Sequence, residues 1–250
     1  MIVAVIGKGG VGKTTVSALL LRRLLESNET PVLAIDADPS NCLGPALGIA
    51  AGPTLADMRE TLRENGRPSS MSSAEWLALR AEEAIVECAG FDLLTMGRPE
   101  GKGCYCYVNN LIRDHLDRLS RSYRHVLLDC EAGLEHLSRR TSGRPDVLVC
   151  VTNRSRMGAE TIRRSLDLYA DLNGGFPARV DLLLNQFDEG EALASEMAAI
   201  ASGAAAPFTR VFIVPRDSEV ESFESAGKSL LELSCASPAP AALGAWEIGS

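Results

Sequence analysis

A glycine-rich loop follows the first apolar run of the chain and reads Gly7-Lys8-Gly9-Gly10-Val11-Gly12-Lys13-Thr14-Thr15. It fills every position of the phosphate-binding pattern, in which a glycine is followed by four residues, then by Gly-Lys and a serine or threonine. The flanks suit this motif, because Ile2 to Ile6 is predicted to be a buried strand and Val16 to Leu25 an apolar-rich helix. The loop therefore predicts binding of a nucleoside triphosphate.

Each part of this loop has a chemical task in the prediction. Its glycines let successive backbone amides surround phosphate oxygens at a helix N-terminus. The Lys13 ammonium would neutralise the β- and γ-phosphates, and the Thr14 hydroxyl would ligate Mg²⁺. The loop residues expected to bind ATP or ADP are Gly9, Gly10, Val11, Gly12, Lys13, Thr14 and Thr15.

Length and composition restrict the remaining possibilities. A chain of 250 residues with 46% hydrophobic content suits one α/β domain spanning residues 1–250. The net charge of -8 and the lack of a basic block argue against a nucleic-acid partner. No charged leader and no apolar run of membrane length is found, so we expect a cytoplasmic protein without a membrane partner. Seven irregularly spaced cysteines favour reduced thiols over disulfides.

Apolar runs that alternate with helical patterns predict the fold class. An α/β P-loop NTPase fold is expected, with a mostly parallel central sheet, helices on both faces and ligands at the C-terminal strand edge. Residues 52–88 read as a helical insertion, around Leu55 to Glu64 and Ala74 to Glu87, and residues 235–250 as a loosely ordered tail. The predicted strands after the first are Pro31 to Ile35, Phe91 to Thr95, Val126 to Leu128, Val147 to Val151, Val180 to Leu184 and Val211 to Val214.

Lys8 is a second cation in the loop, although Lys13 and the backbone amides would already bind the phosphates of the nucleotide. With Lys8, the loop resembles that of the deviant P-loop ATPases, which include septum-positioning and plasmid-partition ATPases and the nitrogenase iron protein. The resemblance implies a nucleotide-dependent homodimer in which Lys8 reaches the partner's nucleotide, as an arginine finger would. The plainer interpretation of Lys8 is a solvated loop cation.

Two acidic segments follow predicted strands and match the switches of this family. In Asp36-Ala37-Asp38-Pro39, the resemblance implies that Asp38 orients the attacking water and that Asp36 supports the Mg²⁺ shell. An Asp-Pro pair after a strand is also an ordinary turn. In Asp129-Cys130-Glu131-Ala132-Gly133, Asp129 would hold Mg²⁺ through water. Lys8, Lys13 and Asp38 are therefore the expected catalytic residues.

Two later segments resemble the family's base-binding positions. Asn185 ends a predicted strand and is similar to the asparagine that contacts adenine. Val214-Pro215-Arg216-Asp217 resembles the second base-binding segment, so Pro215 is expected beside the adenine.

The pair Cys104-Tyr105-Cys106 follows a loop rich in glycine and proline and precedes a helical pattern from about Val108 to Arg121. The helix N-terminus and the adjacent Lys102 favour thiolates, which are soft-metal ligands. One pair supplies two ligands, whereas closed tetrahedral sites take four, so a two-fold dimer would supply the rest. An incidental structural pair is the plainer alternative.

This pair and the run from Asp129 to His136 resemble the nickel-insertion ATPases that mature carbon monoxide dehydrogenase. The resemblance spans nearly the whole chain and implies that Cys104 and Cys106 of two subunits bind one Ni²⁺ or Zn²⁺ between them. ATP turnover would then be linked to nickel delivery, with carbon monoxide dehydrogenase as the partner.

Two other functions remain open in the sequence. Cys130 lies close to where the nitrogenase iron protein carries a cluster cysteine, so a redox ATPase with a bridging iron-sulfur cluster is one alternative. A partition or localisation switch is the other. Cys42 and Cys150 read as packing residues.

Overall fold

The structure, a computed structural model, describes residues 1–50, 52–66, 69–98, 117–130, 144–187 and 207–248. Within these ranges the chain forms a sheet whose strand order is β3-β4-β2-β5-β1-β6-β7-β8. Neighbouring strands are parallel, except that β3 runs antiparallel to β4. The strands are β1 Ile2–Gly7, β2 Val32–Ala37, β3 Val86–Glu87, β4 Phe91–Thr95, β5 His125–Cys130, β6 Val147–Thr152, β7 Arg179–Phe187 and β8 Arg210–Pro215.

The predicted mostly parallel α/β sheet is confirmed. All residues of β2, β5 and β6 are buried, as expected for strands covered on both faces. β1 lies between β5 and β6. The strands β2 to β5 lie on one side of it, and β6 to β8 lie on the other. Ligands of open α/β sheets bind outside the carboxyl ends of the strands at such a point. The glycine-rich loop leaves β1 there.

Most of the described helices lie between strands in sequence, and the last two follow β8. Two of the predicted helices are found where expected. Val16 to Leu25 belongs to α1, and Leu55 to Glu64 belongs to α3. Of the predicted helix from about Val108 to Arg121, residues 117–120 are helical and residues 108–116 lie outside the described part. The described helices are α1 Lys13–Glu26, α2 Leu43–Ala46, α3 Leu55–Asn65, α4 Ser73–Glu83, α5 Arg156–Asn173, α6 Ser218–Ser225 and α7 Pro238–Ala242, with a 3₁₀ turn at Leu230–Glu232.

One helix prediction is wrong at its C-terminal end. The helix expected to reach Glu87 stops at Glu83, and Val86–Glu87 form the edge strand β3. Val86 is paired with Leu93 of β4. A strand of two residues has no periodicity of its own, so only its pairing with β4 reveals it.

Two apolar clusters cover the two faces of the sheet. On one face, α3, α4 and α5 bring residues such as Leu55, Trp76 and Ile162 against the strands. On the other, α1 and the C-terminal segment contribute residues such as Leu20 and Trp246. No helix in the described part of the chain is long and apolar enough to cross a membrane.

The expectation of a loosely ordered tail is wrong for the described residues, which continue to 248. Trp246 is completely buried, and its indole Nε1–H donates to Asp181 Oδ2 at 3.0 Å. Asp181 is ion-paired with Arg179 at 2.6 Å, and the Arg179 guanidinium lies 5.5 Å from the centre of the indole ring. The prediction of a loose tail rests on its proline- and alanine-rich composition. Composition does not reveal that Trp246 binds a buried ion pair on β7.

Candidate nucleotide-binding site

The glycine-rich loop is shaped by its glycines. Gly10 and Gly12 have φ values of 78° and 86°, in the left-handed region that favours glycine. A Cβ at Gly7 would collide with the Val151 carbonyl oxygen, so the loop lies directly against β6. Gly12 caps α1 without a side chain. The loop thus leads into the N-terminus of α1, where backbone amides favour phosphate.

The two loop lysines occupy different positions. Lys13 is 7% exposed, and its Nζ donates to the carbonyl oxygen of Lys8 at 3.4 Å, so its charge is held over the loop. This placement fits the predicted task of Lys13 at the phosphates. Lys8 is half-buried and follows β1 directly. Its action on a partner's nucleotide stays a prediction.

Asp129 is the centre of a hydrogen-bond network at the end of β5. The Thr14 hydroxyl donates to Asp129 Oδ2 at 2.7 Å, and the Ser17 hydroxyl donates to Oδ1 at 3.0 Å. Burial raises the pKa of Asp129 to about 6, and these two hydrogen bonds and the charge of Lys13 oppose the rise. The structure therefore brings Thr14 and Asp129 into direct contact, and their binding of Mg²⁺ stays a prediction.

Asp36 lies at the end of β2, paired in register with Asp129. Its Oδ2 accepts the Leu43 backbone N–H at 2.8 Å, and its Oδ1 accepts the Asp38 backbone N–H at 3.2 Å. Burial raises the pKa of Asp36 to about 7; the two backbone hydrogen bonds lower it, and the charge of Asp129 raises it further. Asp36 thus organises the loop of the first predicted switch.

Asp38 lies within that loop and is half-buried. Its Oδ1 accepts the Ser40 backbone N–H at 2.9 Å, which is the turn expected of an aspartate before proline. The assignment of the attacking water to Asp38 stays a prediction.

The donor set at this edge of the sheet fits Mg²⁺. The Thr14 hydroxyl and the carboxylates of Asp36 and Asp129 are hard oxygen ligands of the kind that Mg²⁺ prefers. A divalent cation also favours the charged form of carboxylates whose pKa is raised by burial. Among the described residues, no group of three or more His, Cys, Asp or Glu side chains is arranged to hold a metal ion. Mg²⁺ is usually bound by one or two carboxylates together with the phosphates of a substrate, and the protein oxygens at this site suit such a cation.

The predicted base-binding residues meet at the same edge. Asn185 is paired in register with Val214, next to Pro215. The Asn185 Nδ2 amide donates to the Val11 carbonyl oxygen at 2.8 Å, so this side chain is bound to the phosphate loop. Contacts of Asn185 and Pro215 with adenine stay predictions.

Two residues of this site were missed in the sequence. Ser17 binds Asp129, and Glu224 of α6 accepts the Thr15 hydroxyl at 2.6 Å. Ser17 has a weak sequence signal, because it interrupts an otherwise apolar helical face that continues with Leu20, Leu21 and Leu24. Glu224 has no local signal.

The cysteines divide between described and undescribed parts of the chain. Cys104 and Cys106 lie outside the described residues. Cys150 is fully buried, and burial raises the pKa of its thiol, as suits a packing residue. Cys130 is buried in the apolar cluster that contains α5. Cys42 differs from the packing prediction, because it is exposed at the start of α2.

Comparison with known proteins agrees with this geometry. The family described as the CobQ/CobB/MinD/ParA nucleotide binding domain matches residues 2–230. An uncharacterized ATP-binding protein of Methanocaldococcus jannaschii is 43% identical over 180 residues, or 70% of this chain and 71% of that protein. The carbon monoxide dehydrogenase accessory protein CooC of Rhodospirillum rubrum is 30% identical over 257 residues, covering 94% of this chain and 90% of that protein.

A solved structure shares the fold. The ParA family ATPase from Chlorobium tepidum superposes with a TM-score of 0.71 at 19% identity, covering 98% of this chain and 97% of that chain. The P-loop NTPase fold expected from the loop is thereby confirmed.

Proposed function

The chain belongs to the CobQ/CobB/MinD/ParA nucleotide binding domain family, and from this premise we propose that it is an ATPase that uses hydrolysis to deliver nickel to carbon monoxide dehydrogenase. The proposal has two levels. ATP binding and hydrolysis rest on the site at the end of β1. The nickel cargo and the client enzyme rest on similarity over nearly the full chain.

The hydrogen bond from Thr14 to Asp129, at 2.7 Å, is the observation that carries the ATPase level. It places the hydroxyl of the phosphate loop against the carboxylate of the neighbouring strand, where Thr14, Asp129 and Asp36 would hold Mg²⁺. Bound there, Mg²⁺ would neutralise charge on the phosphates during transfer to water. Lys13 would bind the phosphates, and Asp38 would orient the attacking water.

Lys8 gives the proposed ATPase a dimeric form. The phosphate loop already has Lys13, so the second cation is assigned to the nucleotide of a partner copy. There it would stabilise the charge that develops on the transferred phosphoryl group. Hydrolysis would then require two chains with nucleotide bound.

The similarity to CooC over 94% of this chain and 90% of that protein supports the nickel level. In the proposal, Cys104 and Cys106 of two chains bind one Ni²⁺, with Zn²⁺ as the competing ion, because four thiolates complete a tetrahedral site. Nickel is the cargo of the reaction and leaves with the client enzyme.

A backbone contact supports coupling between the nucleotide site and the cysteine pair. The Met96 backbone N–H donates to the carbonyl oxygen of Asp36 at 2.8 Å. Met96 directly follows β4, and the chain continues from there towards Cys104. A shift of the Asp36 loop with nucleotide state would therefore act directly on the start of the segment that carries the cysteines.

The iron-sulfur alternative has less support. A cluster shared between two chains needs thiolates at the surface, whereas Cys130 is 4% exposed and lies among apolar side chains. The localisation alternative has the ParA-like fold in its favour, but similarity at 19% identity concerns the fold alone.

Anaerobic titration of the reduced protein with Ni²⁺, with and without ADP or ATP, tests the nickel level. We expect one Ni²⁺ per two chains, with a thiolate-to-nickel absorbance that disappears in Cys104→Ala/Cys106→Ala. The matched control is Cys42→Ala/Cys235→Ala, which removes two exposed thiols. Nickel binding that survives loss of Cys104 and Cys106 would contradict the proposal, and ATP-dependent pelleting with lipid vesicles or DNA would favour the localisation switch.

A further inference from the structure

Ser17 is a buried hydroxyl on the phosphate-loop helix. It lies one turn after Lys13 in α1 and has no exposed surface. The next residues on its side of the helix, Leu20, Leu21 and Leu24, are buried apolar side chains. A hydroxyl at such a place is unfavourable unless it finds a hydrogen-bond partner. Its partner is Asp129 Oδ1, at 3.0 Å.

The two carboxylate oxygens of Asp129 accept hydrogen bonds from two different hydroxyls. Thr14 donates to Oδ2 at 2.7 Å, and Ser17 donates to Oδ1 at 3.0 Å. Thr14 also has a second task in the proposed site, as a ligand of Mg²⁺. Ser17 has no proposed role as a ligand of the cation. Its hydrogen bond to Asp129 therefore fixes the rotation of the Asp129 side chain independently of the cation.

We propose that Ser17 is a positioning residue for the metal site: it holds Asp129 in the one orientation that presents Oδ2 to Thr14. This inference rests on the proposed function of the site as a Mg²⁺-nucleotide site. Groups that orient the residues around a metal contribute about 10- to 100-fold to its affinity. Without Ser17, the Asp129 carboxylate would be held by the Thr14 hydroxyl alone and could rotate, so that Oδ2 would no longer be fixed in this orientation.

Mn²⁺ replaces Mg²⁺ in the test, because free Mn²⁺ is measured directly by electron paramagnetic resonance. The dissociation constant of Mn²⁺ is measured with the full chain and saturating ADP, for the wild type and for Ser17→Ala and Ser17→Thr. We expect Ser17→Ala to weaken Mn²⁺ binding by about 10- to 100-fold. Ser17→Thr, which keeps the hydroxyl, should restore it, and the affinity for ADP without metal should stay unchanged in both.

The matched control is Ser237→Ala. Ser237 is also buried, and its hydroxyl donates to another aspartate, Asp217, at 2.6 Å. Its loss should leave Mn²⁺ affinity unchanged, which separates a metal effect from general loss of a buried hydrogen bond. A folded Ser17→Ala chain that binds Mn²⁺ like the wild type would overturn the role of Ser17. A wild type that binds no Mn²⁺ with ADP would overturn the nucleotide site, and this inference with it.

Discussion

Asp36 on β2 and Asp129 on β5 are register partners on adjacent parallel strands, and both side chains are fully buried. Burial raises the pKa of Asp36 to about 7 and that of Asp129 to about 6. The cation that suits these oxygens would compensate their charges. Without it, the pair is a source of instability near neutral pH.

Asp36 and Asp129 both make stability fall as the pH rises, and the contribution of Asp36 extends to the higher pH. The folded pKa of Asp36 lies above its ordinary value of 3.8, so the folded chain binds more protons than the unfolded chain between those values. The stabilising contribution is complete below about pH 4 and is lost as the pH rises towards about 7. Each pKa unit corresponds to about 1.4 kcal/mol.

Urea unfolding of the metal-free protein across this pH range should therefore show a free energy that falls less steeply in Asp36→Asn than in the wild type. Asp38→Asn is the control, since Asp38 lies on the same loop but is only half-buried. If the free energy of unfolding fell equally steeply with pH in Asp36→Asn and in the wild type, the raised pKa of Asp36 would be contradicted.

Lys8 should matter for turnover and not for binding. Because the proposed task of Lys8 is to stabilise transition-state charge on a partner's nucleotide, Lys8→Ala should lower ATP hydrolysis by about 10³-fold or more. Binding of a fluorescent ADP analogue should stay close to that of the wild type. Lys13→Ala, the control within the same loop, should lose both. Unchanged turnover in Lys8→Ala would remove the argument for action across a dimer.

Gly12 should tolerate a side chain much less well than Gly9 of the same loop. Its φ is 86°, and a Cβ there would collide with the Asn185 Nδ2 amide. Gly12→Ala should therefore lower the free energy of unfolding by about 1–3 kcal/mol. Gly9 is the matched control, because a Cβ at Gly9 meets nothing within 4 Å.

Gly9→Ala should change stability by less than about 0.5 kcal/mol. Gly12→Ala/Asn185→Ala should recover part of the loss, since it removes the collision but not the left-handed strain. Equal stability of Gly12→Ala and Gly9→Ala in urea would refute the predicted packing of Asn185 on the loop.

Trp246 should contribute substantially to stability. Trp246→Ala removes a fully buried indole and should cost about 3–5 kcal/mol in urea unfolding. Trp246→Phe keeps most of the apolar contact but loses the hydrogen bond to Asp181, which Arg179 still pairs, so about 1–2 kcal/mol is expected. A tail without fixed packing would instead give changes below about 0.5 kcal/mol in both.

The sequence by itself determined the phosphate loop, the mostly parallel sheet and the strand ends that carry Asp36, Asp129 and Asn185. These features depend on local patterns: a fixed spacing of glycines and lysine, and apolar runs bounded by polar residues. The runs of β2, β5 and β6 were located to within a few residues, because burial on both faces makes the whole strand apolar.

The tertiary structure alone decided which side chains meet at the site. Ser17 and Asp129 are 112 positions apart, and Thr15 and Glu224 are 209 positions apart. No spacing rule connects such pairs, since their contact depends on strand order and on how α1 and α6 lie on the sheet. The same reason applies to the packed tail. Trp246 packs against Asp181 and Arg179 of β7, and only the position of β7 in the sheet shows that these two charges are buried.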